Sequence, residues 1–143
     1  MSIKINGGST NFASTFTASP TADRTVTVPD SSFTLAGVDA AQTYTASQRG
    51  TVTTDNDGSF DMAVTNNFKC TLSGAATLTF TNITAGQSGF ILLINGSNYT
   101  VSAHANTKVS ATALATISAT GTYLLSYFSD GTNVYVVNSG ALA

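Results

Sequence analysis

Any imidazole chemistry in this chain has to start from its single histidine, His104. A Ser-His-Asp triad, a histidine metal site or a histidine general base would each need partners arranged around that ring. The surrounding run, Ser102-Ala103-His104-Ala105-Asn106-Thr107-Lys108, offers small residues and no glycine-flanked serine elbow. It reads as a loop histidine, solvated or hydrogen-bonded. The densest acidic stretch is Asp55-Asn56-Asp57-Gly58-Ser59-Phe60-Asp61. Asp55 and Asp57 have the spacing that opens a calcium loop. The fifth and twelfth positions of such a loop fall on Ser59 and Asn66, and neither is acidic. The stretch reads as a turn between strands, with a weak cation site at Asp55 and Asp57 as the alternative.

The remaining reactive types are thinner still. Cys70 is the only cysteine, which excludes an intrachain disulfide framework. It alternates with Phe68 and Leu72 on one strand face and reads as a small buried hydrophobe. Three sequons, beginning at Asn82, Asn95 and Asn98, are what chance produces in an Asn- and Thr-rich chain. Gly7-Gly8 lacks the strand-loop-helix context of a phosphate loop. The aromatic residues, among them Tyr44, Tyr99, Tyr123, Tyr127, Phe128 and Tyr135, sit mostly at alternating positions where core packing is the default; a sugar-binding platform is the competing use. No constellation supports an enzyme, a metal centre or a bound cofactor.

The elements that would hold these residues are set by composition. Charged residues are 8% of the 143 and net charge is −2, against roughly 25% charged in ordinary domains. All the acids are aspartate. The polar surface must be made of Thr, Ser, Asn and Gly, which favour strands and turns. These features predict an all-β protein. Without a basic patch, nucleic acid is not an expected partner. The start of the chain carries no charged and apolar leader pattern, and the longest apolar run, Phe90–Ile94, is far too short to span a bilayer. Membrane contact is not expected, and synthesis in a reducing cytoplasm is.

Period-2 alternation and Gly/Asn punctuation divide the chain into a 1–37 arm, a 38–46 linker and a 47–143 domain. Pro20 and Pro29 bracket the ribbon Thr25–Val28, which confines it to an edge or an arm. From Gln48 onward, short strand candidates follow at Gln48–Thr53, Ser59–Val64, Phe68–Leu72, Ala76–Asn82, Gly89–Asn95, Asn98–Ser102, Ala115–Ala119, Gly121–Ser129 and Thr132–Asn138. Close spacing of this kind predicts a β-sandwich or jelly roll with an extended N-terminal β-arm. Hairpin turns are expected at Asn95-Gly96 and Asp130-Gly131. The unbroken run Phe90–Ile94 predicts a strand covered on both faces, by the arm or by another subunit.

The segments "TFTASPTADRTVTVPDSSFTLAG", "TLTFTNITAGQSGFILLINGSNYTV" and "ATISATGTYLLSYFSDGTNVYVV" resemble units of tail-fibre and other virion proteins of tailed bacteriophages. The resemblance covers most of the chain and implies a trimeric β-rich assembly on the outside of a particle, made in the bacterial host. It carries no catalytic residues. Two roles follow: a capsid decoration (cement) protein docking on the major capsid protein or another virion protein, or the receptor-binding tip of a short tail fibre. In either, the contacts are expected to bury Phe12, Phe16, Val26, Val28 and Phe33 of the arm. The strand Phe90, Ile91, Leu92, Leu93 and Ile94 is expected to join them.

Overall fold

The computed structural model describes residues 47–142. Their elements in chain order are β1 (Val52–Thr54), β2 (Ser59–Asp61), β3 (Asn67–Leu72), β4 (Ala76–Thr81), β5 (Ser88–Asn95), β6 (Val101–Ala103), β7 (Thr107–Lys108), α1 (Ala111–Ile117), β8 (Gly121–Ser129) and β9 (Val134–Leu142). The expected 1–37 arm and 38–46 linker lie outside the described residues.

The expected sandwich or jelly roll does not form; the chain winds as a β-solenoid of about three turns. Each turn lays one strand in a six-stranded sheet and one in a three-stranded sheet. Thus β1, β3 and β5 stack in parallel on one side, and β2, β4 and β6 stack in parallel on the other. The stack is extended by β8, antiparallel to β5, then β9, antiparallel to β8, with β7 joining parallel to β9. A sandwich and a solenoid share short alternating strands and Gly/Asn corners. They differ in whether a strand pairs with its sequence neighbour or with the strand one turn later, and alternation carries no information on that choice.

The corners show the difference. A two-residue hairpin needs positive φ in its turn, and Gly131 has it, at φ 94°. There the expected hairpin forms between β8 and β9. Asp130 Oδ1 accepts from the backbone N–H of Thr132 at 2.8 Å and Asn133 at 2.7 Å. Gly96 is not among the positive-φ glycines of the described residues. The chain there turns a corner from β5 into β6 of the other sheet, and no hairpin forms. The predicted strand Ala115–Ala119 is also replaced, by the second half of α1 and its exit. Ser110 caps this helix, its Oγ accepting from Ala113 N–H at 3.1 Å. Ala113 and Ile117, four apart, then share the buried side.

Alternation places one set of side chains between the sheets. Phe68, Cys70, Ile91, Leu93, Tyr123, Leu125, Tyr127, Val134 and Val136 face Phe60, Leu78, Phe80 and Val101 across the core. Ring centroids of Phe60 lie 5.1 Å from Phe68 and 5.5 Å from Phe80, and Phe80 lies 5.2 Å from Tyr127. Burying each such ring contributes about 2–3 kcal/mol. Helix α1 lies against β9 and β6 at the end of the stack. Its C-terminal end is stitched to the β5–β6 corner by a side chain buried in the core region, Asn95. Asn95 Nδ2 donates to Tyr99 O at 2.8 Å and to Ile117 O at 3.1 Å, while its Oδ1 accepts from Tyr99 N–H at 2.9 Å and Ser97 N–H at 3.3 Å.

Candidate functional site

The other face of the six-stranded sheet is where the unspent apolar surface lies. In the register of the sheet, Asn67, Phe90, Ser126 and Val137 form one row across four strands. Ser88, Phe128, Tyr135 and Lys108 form the next. Lys69, Leu92 and Leu124 form a third. Phe90 is 51% exposed, Phe128 52%, Tyr135 46%, Val137 64% and Leu124 40%. Leu92 and Ile94 are half-buried beside them. The result is one contiguous apolar area over β5, β8 and β9. Lys69 on β3 and Lys108 on β7 mark its two sides.

This placement sorts the expected contact residues. Phe90, Leu92 and Ile94 stand on the outer face. Ile91 and Leu93, both at 0% exposure, point into the core of the monomer. Within the described chain, therefore, the apolar run is covered on its inner face and open on its outer one. Phe12, Phe16, Val26, Val28 and Phe33 lie outside the described residues. Sheet order brings in Leu124, Phe128, Tyr135 and Val137, which the sequence reading did not group with Phe90. Their signal was present as the second alternation set of Leu124–Phe128 and Tyr135–Val137, but alternation does not say which set faces water.

The groups singled out for chemistry are engaged in turns or buried. His104 is exposed, and its Nδ1 lies 2.7 Å from Asn106 Oδ1. Asp57 Oδ1 accepts from Ser59 N–H at 2.7 Å, and Asp61 Oδ1 accepts from Asn82 Nδ2 at 2.7 Å and Ala63 N–H at 2.9 Å. The two donors hold the Asp61 carboxyl below its ordinary value. Partial burial and the neighbouring Asp57 push Asp55 above its own. Among the described residues no three His, Cys, Asp or Glu side chains converge as metal ligands would. Cys70 is a free, buried thiol, and burial raises it to about 11, which leaves little thiolate at neutral pH. Asn95, the asparagine of one sequon, is 1% exposed.

The tyrosines divide between the two faces. Tyr123 and Tyr127 are core rings whose hydroxyls donate to Ala119 O at 3.0 Å and Asn66 O at 2.9 Å. Burial raises Tyr127 to about 12. Tyr135, on the outer face, donates to Asp130 Oδ2 at 2.9 Å. Tyr44 lies outside the described residues. An open cleft of about 580 Å³ adjoins the apolar face where Lys108, Tyr135 and Val137 meet the start of α1 at Ser110 and Ala113. Among the described residues no helix is long and apolar enough to cross a membrane. No protein-family model, curated protein or solved structure matches the chain.

Proposed function

We propose that this chain is a non-enzymatic structural protein of a tailed-bacteriophage particle, acting as an external decoration (cement) protein. In this reading it works as a homotrimer on the capsid surface, and residues 1–37 contribute the docking segment. Its partners are further copies of itself and the major capsid protein or another virion protein. The resemblance of three long segments to virion proteins supplies the setting. The observation that carries a binding role is the broad apolar outer face of β5, β8 and β9. A fold whose core is closed inside the solenoid has no internal need of that face, and apolar patches of such breadth serve protein contacts. With so few charges on the chain, attachment should vary little with ionic strength.

The fold itself favours one second reading, the receptor-binding tip of a short tail fibre. Parallel rungs stack along an axis, which is the geometry of a shaft to which further rungs can be added. The test is the number of copies per purified particle. A count in proportion to the capsid lattice supports decoration. A count matching the few fibres of a tail supports the tip, and absence of the protein from particles removes both.

A further inference from the structure

We infer that the outer face of β5, β8 and β9 is the surface on which one copy of this chain packs against another. This deepens the structural reading above and rests on it for the expectation of self-association; the choice of face rests on three observations of the molecule.

The first is area. With roughly 200 Å² for a whole aromatic side chain and somewhat less for Leu and Val, the exposed fractions of Phe90, Leu124, Phe128, Tyr135 and Val137 leave about 500 Å² of apolar surface in contact with water. That is at the upper end of what a monomer tolerates, about 300–600 Å². A stable interface takes roughly 800 Å² per partner, and the half-buried Leu92, Ile94 and Ser126 lie within the same face.

The second is charge. Between Lys69 on one side and Lys108 on the other, the rows of this face carry no ionisable group except Tyr135, whose hydroxyl donates to the Asp130 carboxylate of the β8–β9 turn. An acidic protein or a nucleic acid would find two isolated lysines four strands apart and little else to bind. Another copy of the same face needs no opposite charge, and its lysines stay at the solvated rim.

The third is shape. Ser126 sits in register between Phe90 and Val137, and Leu124 and Phe128 flank it on its own strand. A small residue ringed by four large ones is a recess, and the ring supplies projections of matching kind. In a homotrimer the contact is heterologous, and a surface carrying both projections and recess lets the ring of one copy enter the recess of the next around the three-fold axis. Two sheets in such contact pack about 10 Å apart.

The experiment is light scattering and sedimentation of the full chain at tens of micromolar. The wild-type protein is expected to be oligomeric. Ser126→Arg, which fills the recess, and Phe128→Asp, which charges the rim of it, are each expected to weaken association at least tenfold while β-sheet circular dichroism is retained. Val64→Asp, at an exposed apolar residue of the β2–β3 connection outside the rows of this face, is expected to leave the mass unchanged. A monomeric wild-type protein, or folded Ser126→Arg and Phe128→Asp proteins of unchanged mass, would overturn the inference. Should either variant misfold, amine cross-linking of an isotopically mixed wild-type sample decides. Lys69 and Lys108 of different copies should cross-link across the face, and oligomers without such links refute it. A monomeric Ser126→Arg protein that still binds particles leaves the virion role standing. An oligomer that breaks at this face but is absent from particles removes the virion role alone.

Discussion

Replacing Asn95 by leucine should be the most damaging near-isosteric change in the described chain. The side chain makes four hydrogen bonds, two as donor to the carbonyls of Tyr99 and Ile117 and two as acceptor from Tyr99 and Ser97. It is 1% exposed, and Ile117, whose carbonyl it meets, is at 0%. Water therefore cannot replace what leucine removes. Net hydrogen-bond contributions of about 1 kcal/mol each, together with backbone groups left unpaired, predict a loss of about 3–4 kcal/mol. For a folded unit of about 100 residues this lowers the thermal midpoint by roughly 15–25 °C. Urea unfolding followed by circular dichroism measures it directly. Asn95→Asp provides an internal control, because a carboxylate keeps the two acceptor bonds but sets charge against two carbonyls. Its defect should shrink as the pH is lowered and the acid gains a proton to donate. A leucine variant within about 1 kcal/mol of the wild type would refute the view that this corner locks α1 to the third turn.

Two further changes probe other parts of the solenoid. A methyl group at Gly89 would lie 1.7 Å from Asn66 O and 2.7 Å from the Tyr127 hydroxyl. Gly89→Ala should thus cost about 3 kcal/mol in urea unfolding, whereas Gly74→Ala, with nothing within 4 Å, should stay within about 0.5 kcal/mol. Equal effects at the two sites would sink the close-approach account. Asp130 is held at about 2 by the N–H groups of Asn133 and Thr132 and by the Tyr135 hydroxyl. Its folded value lies below an unfolded value of about 3.9, so its stabilising effect is complete above that value and disappears as pH falls through about 2. Asp61 shifts in the same direction and Asp55 in the opposite one. The thermal midpoint should fall between roughly pH 4 and pH 2, and Asp130→Asn should flatten that slope; an unchanged slope excludes Asp130 as a contributor.

Strand positions were legible because alternation is local: β3, β4, β5 and β8 fall within about a residue of the alternating runs that predict them. Strand partners were not legible, because they depend on chain winding. The turns of the solenoid differ in length. Val52 pairs with Asn67, but Asn67 pairs with Phe90, so no fixed period marks the sequence. Helix α1 was hidden for another reason: its Ala- and Thr-rich sequence has no charged ends, and only the Ser110 cap with the Ala113–Ile117 pair distinguishes it. Of the outer face, Phe90, Leu92 and Ile94 could be found because an unbroken apolar run is unusual on a strand. Leu124, Phe128, Tyr135 and Val137 alternate as a core set would.

The solenoid separates two tasks that a smaller hairpin sheet would mix. On β5, β8 and β9 the inward set, such as Ile91, Leu93, Leu125 and Val136, is closed against the second sheet. The outward set on the same strands is free of any role in that core. Low charge has the same logic, since among the described residues the aspartates sit in turns or at a strand end, as at Asp57, Asp61 and Asp130, where backbone N–H groups need acceptors. That leaves the rows of the broad outer face uncharged between Lys69 and Lys108, apart from the Asp130 carboxylate bound by the Tyr135 hydroxyl, and with no core packing to disturb. Mutations there should move association and leave unfolding nearly untouched, while those one residue away along the strand should do the reverse. A protein using this face for nothing would have no physical reason to keep Phe90, Phe128 and Tyr135 in water, because threonine or serine fits a strand as well and removes the aggregation hazard.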